Sequence, residues 1–258
     1  YRAHGHMIAC GMESRGVMAE LTGRAGGYSR GKGGSMHMFS TEKHFYGGHG
    51  IVGAQVPIGA GLALSNKYKG NGNVSLAFFG DGASNQGQVY EAFNMAKLWS
   101  LPVVFVIENN QYAMGTSVIR SSAETELHKR GSSFEIKGIQ VDGMNVLEVR
   151  DAAKKAIKHA RDGKGPMILE MKTYRYRGHS MSDPAKYRTR DEVTKTRSER
   201  DPIDMVKNRL IVEEWATDDA LKSIDKEIKL IVADAAEFAQ TSPEPDASEL
   251  YTDVLLDA

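Results

Sequence analysis

The sequence contains very little cysteine, since Cys10 is the only one in 258 residues. A single cysteine excludes a disulfide within the chain, and such low use of cysteine fits a reducing compartment. Long hydrophobic runs are missing too: no segment is apolar over a length that spans a bilayer, and no secretory signal is recognisable. Position 1 is Tyr1 rather than methionine, from which we expect a fragment that lacks its natural amino terminus.

A net charge is also absent. The chain has 33 Lys and Arg residues against 33 Asp and Glu residues, which gives a formal charge of zero. A neutral chain offers no electrostatic attraction to nucleic acid or to an anionic membrane surface, so we expect neither as a partner. Its length is nevertheless sufficient to bury a large hydrophobic core.

Two short polar motifs each follow an apolar run. Residues 74–79 and 102–108 have the continuous apolar character of buried parallel strands, and Gly80-Asp81-Gly82-Ala83 and Asn109-Asn110-Gln111-Tyr112 follow them. Between the strands, apolar residues at helical spacing over 89–96 predict a crossover helix. A right-handed crossover would bring the two strands close together, so both motifs would face one crevice.

The chemistry of these motifs favours a metal and a phosphate group. A carboxylate, an amide oxygen and a backbone carbonyl are hard oxygen ligands, which suit Mg²⁺ or Ca²⁺ better than zinc. The glycines on either side of Asp81 allow close approach to the backbone, and the amides that follow lead into a helix amino end, which favours anions. Each motif alone is also typical of an ordinary turn, but the pair predicts a site for a metal-bound diphosphate.

The rest of the chain alternates between strand and helix patterns. Residues 139–141 and 167–171 are predicted as strands, with an amphipathic helix over 149–160 between them. The polar, Arg-rich residues 173–200 are predicted as an exposed loop, followed by a helical region with an apolar face. We therefore expect an α/β fold, with a mostly parallel sheet flanked by helices over residues 1–200 and a C-terminal helical extension over 201–258.

Several long strings resemble one enzyme family in the same order along nearly the whole chain. The strings are YRAHG at 1–5, GKGGSMHMF at 31–39, FYGGHGIVGAQVP at 45–57, ENNQYAMGTS at 108–117 and TYRYRGHSMSDP at 173–184. They are similar to α subunits of the decarboxylating component of pyruvate dehydrogenase, within the thiamine diphosphate-dependent 2-oxo acid dehydrogenases. The resemblance implies the thiamine diphosphate-binding fold and the cofactors thiamine diphosphate and Mg²⁺.

The resemblance also assigns roles to individual residues. It implies that Mg²⁺ is bound by Asp81, the side chain of Asn110 and the backbone carbonyl of Tyr112. It implies a cofactor site made of these three residues together with Tyr1, Arg2, Gly50, Val52, Gly80, Gly82, Ala83, Arg175 and His179. Without the resemblance, Arg175 would be interpreted as a surface charge and His179 as an ordinary loop histidine.

Three loop residues have further implied roles. His179 is expected to act as a catalytic residue that handles protons near the acyl transfer. Ser180 and Ser117 match positions that are phosphorylated in mitochondrial relatives, although both also fit ordinary loop hydroxyls. A further phosphorylation position does not match, because the segment is one residue short and Lys186 lies near the expected serine.

The implied function is oxidative decarboxylation of pyruvate followed by reductive acetylation of a lipoyl group. The expected partners are a β subunit in an α2β2 heterotetramer, the lipoyl domain of dihydrolipoyl acetyltransferase, and pyruvate. The resemblance also implies that the β subunit completes the reactive end of the cofactor site, so this chain is expected to be active only with it. The expected location is the bacterial cytoplasm or the mitochondrial matrix. Two alternatives stay open: a branched-chain 2-oxo acid or acetoin dehydrogenase α subunit, and a non-catalytic diphosphate-binding assembly subunit.

Overall fold

The computed structural model describes residues 2–254, which fall into two compact units. The first unit combines residues 2–50 with 214–254, and the second comprises residues 51–213. The expected division of the chain at residue 200 stays a prediction. The helices and strands in chain order are α1 His4–Ala9, α2 Ser14–Leu21, α3 Gln55–Lys69, β1 Ser75–Gly80, α4 Gly87–Leu98, β2 Val103–Asn109, β3 Tyr112–Ala113, β4 Thr116–Ser117, α5 Val118–Ser121, β5 Lys137–Asp142, α6 Val146–Arg161, β6 Met167–Lys172, α7 Arg190–Arg200, α8 Pro202–Val212 and α9 Asp218–Thr241.

The second unit is built on a four-stranded sheet with the strand order β1-β2-β6-β5, and every neighbouring pair is parallel. The central strands β2 and β6 are almost entirely buried, which explains their mainly apolar sequences. The predicted α/β fold with a parallel sheet is therefore confirmed. Strands β3 and β4 form a separate antiparallel ribbon of two residues each, directly after β2.

Helices cover both faces of this sheet. Because successive side chains of a strand point to opposite faces, β2 places Phe105 and Ile107 against one core and Val104 and Val106 against another. The first core also contains buried residues of α3 and α4, and the second contains the alanine face of α6. The small side chains of that face allow α6 to pack closely against the sheet.

The first unit is helical and is organised around the contact between α2 and α9. A cluster of buried apolar side chains, which includes Met7, Val17 and Met38, forms its core. The buried carboxylate of Glu20 accepts hydrogen bonds from the backbone amides of Ser29, Gly31, Gly33 and Gly34, at 2.7–3.0 Å. These bonds fix the glycine-rich segment without a regular secondary structure, since its amides find their partner in a side chain.

One expectation about the Arg-rich segment was wrong. Residues 173–200 were expected to form a loop throughout, but residues 190–200 form α7, so the loop ends at Thr189. The Thr189 side chain accepts a hydrogen bond from the backbone amide of Glu192 and caps this helix. The sequence shows no helical periodicity of apolar residues here because α7 buries no residue and therefore has no apolar face.

No helix among the described residues 2–254 is both long enough and apolar enough to cross a membrane.

Candidate functional site

The two polar motifs lie side by side at the carboxyl edge of the sheet. Strands β1 and β2 pair in parallel with Gly80 opposite Glu108, so Asp81, directly after β1, and Asn109, the last residue of β2, lie at neighbouring strand ends. The two loops that begin there are in direct contact: a Cβ atom added to Gly82 would lie 2.4 Å from the Cβ of Ala113. Glycine is therefore required at position 82 for the loops to approach this closely.

Asp81 is a buried carboxylate, with 4% of its surface exposed. Burial raises the pKa of Asp81 above its ordinary value, although hydrogen bonding by the Asn110 backbone and the charge of Arg175 favour its ionised form. The backbone carbonyl of Asp81 accepts a hydrogen bond of 2.6 Å from Ser84 Oγ. The first loop is thus fixed locally, and its carboxylate faces the second loop.

The turn from Asn109 to Tyr112 presents oxygen atoms from two of its residues. Asn110 Oδ1 accepts a hydrogen bond of 3.1 Å from the Tyr112 amide, which leaves its second lone pair for another ligand. Gln111 has a φ of 75°, in the left-handed region that residues with a side chain rarely adopt. Its carbonyl accepts a hydrogen bond of 3.0 Å from the Val118 amide, which ties the turn to the start of α5.

A short 3₁₀ turn follows the Gly-Asp-Gly motif and includes Ala83. Arg130 stabilises its far end, since its Nη1 donates to the Ser84 carbonyl at 2.8 Å and to Asn85 Oδ1 at 2.7 Å. Gly80 meets no atom within 4 Å of an added Cβ, so the close packing of the motif concerns Gly82 rather than Gly80.

The loop after β6 carries Arg175 and His179. Arg175 Nη1 donates a hydrogen bond of 2.8 Å to the Met114 carbonyl, which links this loop to the ribbon after β2. The His179 amide donates to Asp183 Oδ2 at 2.6 Å, and the same carboxylate accepts from the Ala185 amide at 2.8 Å. These backbone hydrogen bonds hold the pKa of Asp183 below its usual value, so its carboxylate stays ionised. In this form it binds the backbone of the loop on both sides.

The two candidate phosphorylation residues differ in their surroundings. Ser180 is exposed, and its Oγ is 2.9 Å from Ser182 Oγ. Ser117 lies in the short strand β4, opposite Tyr112, and is partly buried. Modification of either serine stays a prediction.

The remaining predicted residues are distributed over both units. In the second unit, the Val52 carbonyl accepts a hydrogen bond of 2.9 Å from Gln88 Nε2. Arg2 and Gly50 belong to the first unit. Tyr1 lies outside the described residues, so its predicted role is not addressed by the structure. The roles of all four of these residues in cofactor binding stay predictions.

Sequence reasoning missed a buried carboxylate behind the second motif. Glu170, in the middle of β6, is fully buried and accepts a hydrogen bond of 2.7 Å from Asn109 Nδ2. Its other oxygen is 3.0 Å from the His128 amide nitrogen and 2.9 Å from His128 Nδ1. A glutamate inside an otherwise apolar strand was the available signal, since a charged residue is rarely buried without partners.

The donor set fits a magnesium diphosphate. The Asp81 carboxylate, Asn110 Oδ1 and the Tyr112 carbonyl are hard oxygen ligands on two loops in contact, and Mg²⁺ usually binds to few protein ligands together with phosphate oxygens. A cation next to Asp81 would also compensate the burial that raises the pKa of this carboxyl group. The residues present therefore suit the group that the sequence predicts.

Comparisons with known proteins place the chain in a family. A family model described as dehydrogenase E1 component matches residues 1–248. The chain is 71% identical to the pyruvate dehydrogenase E1 component subunit alpha of Rhizobium meliloti (strain 1021), over 99% of this chain and 74% of the relative. It is 59% identical to that of Zymomonas mobilis, over 99% and 72%. It is 55% identical to the testis-specific mitochondrial form of Rattus norvegicus, over 97% and 63%.

Proposed function

Because the chain belongs to the dehydrogenase E1 component family, we propose that it acts as the α subunit of a thiamine diphosphate-dependent pyruvate dehydrogenase. Its activity is oxidative decarboxylation of pyruvate and reductive acetylation of a lipoyl group. The similar bacterial and rat proteins are pyruvate dehydrogenase E1 α subunits by name. The structural observation that carries the proposal is the contact between the Asp81 loop and the segment that follows β2, where Gly82 packs against Ala113 at one edge of a parallel sheet.

In this proposal the two loops hold the diphosphate end of the cofactor. Asp81, Asn110 Oδ1 and the Tyr112 carbonyl would hold Mg²⁺, which would supply positive charge beside the diphosphate. Gly80, Gly82 and Ala83 form the phosphate turn, where the absence of large side chains allows the backbone to approach the anion. Support comes from the hard oxygen donors and from the buried, partly uncompensated charge of Asp81.

The other predicted residues complete the cofactor site. By family resemblance, Tyr1, Arg2, Arg175 and His179 would donate to the diphosphate, and the backbones of Gly50 and Val52 would contact the aminopyrimidine ring. His179 also handles a proton near the acyl transfer, for which the Asp183 carboxylate orders its backbone. The bound cofactor supplies the stabilisation of negative charge on carbon, whereas the chain supplies binding, orientation and exclusion of water.

The proposed partners follow from the same activity. They are a β subunit in an α2β2 heterotetramer, the lipoyl domain of dihydrolipoyl acetyltransferase, and pyruvate as substrate. The proposed compartment is the bacterial cytoplasm or the mitochondrial matrix, which corresponds to the bacterial and mitochondrial origins of the similar proteins.

A substrate panel tests this function. The full-length chain is co-expressed with the β chain of the same organism, and kcat/KM is measured for pyruvate, a branched-chain 2-oxo acid and acetoin. We expect pyruvate to be preferred by at least ~10-fold over the branched-chain acid, because one or two extra methylene groups are worth a factor of this order in a pocket. A preference for either other substrate would contradict the proposal.

Calorimetry on the same heterotetramer separates an enzyme from a scaffold. We expect heat from thiamine diphosphate only when Mg²⁺ is present, since the metal joins the diphosphate to the chain. The absence of any metal-dependent heat would favour a non-catalytic assembly subunit.

A further inference from the structure

Glu170 lies behind the proposed metal site, and its hydrogen-bond partners Asn109, His128 and Gln140 are not among the proposed ligands. It is in the central strand β6, with none of its side chain exposed. Burial alone would raise the pKa of Glu170, but hydrogen bonds from Asn109 and His128 outweigh it, and the pKa lies below its usual value. A buried glutamate that stays ionised acts only as a hydrogen-bond acceptor.

The ionised carboxylate fixes the orientation of the Asn109 side chain. Since Glu170 Oε1 is 2.7 Å from Asn109 Nδ2 and can only accept, the amide nitrogen of Asn109 must point toward Glu170. The amide oxygen then points the other way, into the turn. There it accepts hydrogen bonds from the Gln111 backbone amide at 3.1 Å and from Gln111 Nε2 at 3.3 Å.

The Asn109–Tyr112 turn requires a hydrogen bond that holds its conformation. Gln111 adopts a φ of 75°, a conformation that is unfavourable for a residue with a side chain and persists only where its surroundings enforce it. Asn110 and Tyr112, on either side of Gln111, provide two of the proposed magnesium ligands. The position of both ligand oxygens therefore depends on the bond between Gln111 and Asn109, and through it on Glu170.

We propose that Glu170 is a positioning residue for Mg²⁺: through Asn109 it holds the Asn109–Tyr112 turn in the conformation that presents the Asn110 and Tyr112 oxygens to the metal. The inference rests on the proposed function, because it takes these two oxygens as ligands. Groups behind metal ligands typically change metal affinity by ~10–100-fold, which sets the size of the expected effect.

Glu170→Gln tests the proposal with little change of shape. Both oxygens of Glu170 face donors, Asn109 Nδ2 on one side and the His128 amide on the other. A glutamine has one acceptor and one donor group in their place, so a donor meets a donor on one side. In the heterotetramer with excess thiamine diphosphate, we expect the Kd for Mg²⁺, measured by calorimetry, to rise ~10-fold. We expect kcat at saturating metal to stay within about threefold of the unmodified enzyme.

The double variant Asn109→Asp/Glu170→Gln provides a rescue. The amide nitrogen introduced at position 170 donates to the carboxylate introduced at position 109. That carboxylate still accepts from Gln111, and the amide oxygen at position 170 still accepts from His128. The charge of the pair is also unchanged. We expect the Kd for Mg²⁺ to return to within about threefold of the original value, whereas independent effects would multiply.

Gln140→Ala is the matched control. Gln140 donates to Glu170 Oε2 at 3.3 Å, on the side away from Asn109, so its loss should change the Kd for Mg²⁺ less than twofold. If Glu170→Gln does not fold by circular dichroism, Asn109→Ala replaces it, since it removes the same link and should raise the Kd by a similar factor.

The outcomes separate the inference from the function on which it rests. If the folded Glu170→Gln enzyme, or Asn109→Ala in its place, binds Mg²⁺ as tightly as the unmodified enzyme, the positioning role is wrong while the proposed function stands. A double variant whose loss is the product of its parts also contradicts the role. If the unmodified heterotetramer itself shows no metal-dependent binding of thiamine diphosphate, the proposed function is wrong and the positioning role with it.

Discussion

At the scale of single residues, the site depends on a carboxylate whose burial is unfavourable without a cation. Asp81 is 4% exposed, and burial raises its pKa despite the nearby charge of Arg175. A buried ionised group is costly unless it is paired or coordinates a metal. In the proposed function, the need for Asp81 as a metal ligand therefore opposes the stability of the chain when Mg²⁺ is absent.

Asp81→Asn should separate these two effects. We expect the variant enzyme to lose more than ~100-fold in Mg²⁺ affinity, beyond the effect typical of residues behind the ligands, because a charged ligand is removed. Without Mg²⁺ and cofactor, its Tm at neutral pH should equal or exceed that of the unmodified chain, since the amide has no charge to bury. Thermal unfolding with and without Mg²⁺ and thiamine diphosphate measures both quantities.

The contribution of Asp81 to the free energy of unfolding changes with pH in one direction. Because the pKa of Asp81 is higher in the folded than in the unfolded chain, the folded state holds this proton to higher pH. The contribution of Asp81 to the free energy of unfolding thus falls as pH rises from the ordinary Asp pKa through the folded one. Asp81→Asn should remove this part of the pH dependence. Asp142→Asn is the control, since that carboxylate ends strand β5 but is bound to Arg200 at 2.7 Å; an equal effect there would contradict the assignment.

The residues of the site were predictable from the sequence to different degrees. Asp81 and Asn110 were found because each follows a recognisable buried strand, and the parallel pairing of β1 with β2 places both at one edge. Glu170 was not found, because its partners Asn109, His128 and Gln140 are 61, 42 and 30 residues away along the chain. The strand order β1-β2-β6-β5 brings Asn109 and Gln140 next to Glu170, and a sequence pattern does not specify that order.

At the scale of elements, α7 shows why a polar helix is not predicted from the spacing of apolar residues. It buries no residue and is held instead by polar contacts at both ends. Tyr174 donates to Glu192 Oε1 at 2.8 Å, and Arg200 donates to both Asp142 oxygens at 2.7 Å. Burial and the Glu192 carboxylate raise the pKa of Tyr174 to about 12, so its hydroxyl remains a donor at physiological pH. The amphipathic helix α6, by contrast, was predicted because its alanines recur on one face.

Removal of the cap of α7 should loosen this helix locally. Thr189→Ala removes the acceptor for the Glu192 amide at 3.1 Å and should cost ~1 kcal/mol. Because α7 has no buried face, the loss should appear as local opening. We expect trypsin cleavage after Arg190, Lys195 and Arg197 to become about fivefold faster, since ~1 kcal/mol corresponds to a factor of this size.

Thr217→Ala is the control for this prediction. Thr217 caps α9 through an equivalent bond of 3.2 Å from the Ala220 amide, and it belongs to the other unit. Cleavage within α7 should be unchanged by it. Equal acceleration by both variants, measured by mass spectrometry of the early fragments, would show that the effect is global and not local to α7.

At the scale of the whole molecule, the described part of the chain contains the proposed metal site and exposes several large apolar side chains. Large apolar side chains remain exposed on α3 and α4, among them Ile58, Leu64, Met95 and Leu98, the last of which is 71% exposed. Contiguous exposed apolar patches mark protein interfaces, and α3 and α4, which carry these side chains, are neighbours in the fold. This exposed surface supports the proposal of a β subunit, although the sequence predicted this partner from family resemblance alone.

The last prediction concerns this partner. In the proposed function the reactive end of the cofactor depends on a second chain, so the purified full-length α chain should show no pyruvate decarboxylation with Mg²⁺ and thiamine diphosphate present. Addition of the β chain should restore turnover, with a titration that saturates at one β chain per α chain, because an α2β2 assembly has equal numbers of each. Release of carbon dioxide from labelled pyruvate measures this directly. Turnover by the α chain alone would show that its own residues complete the site.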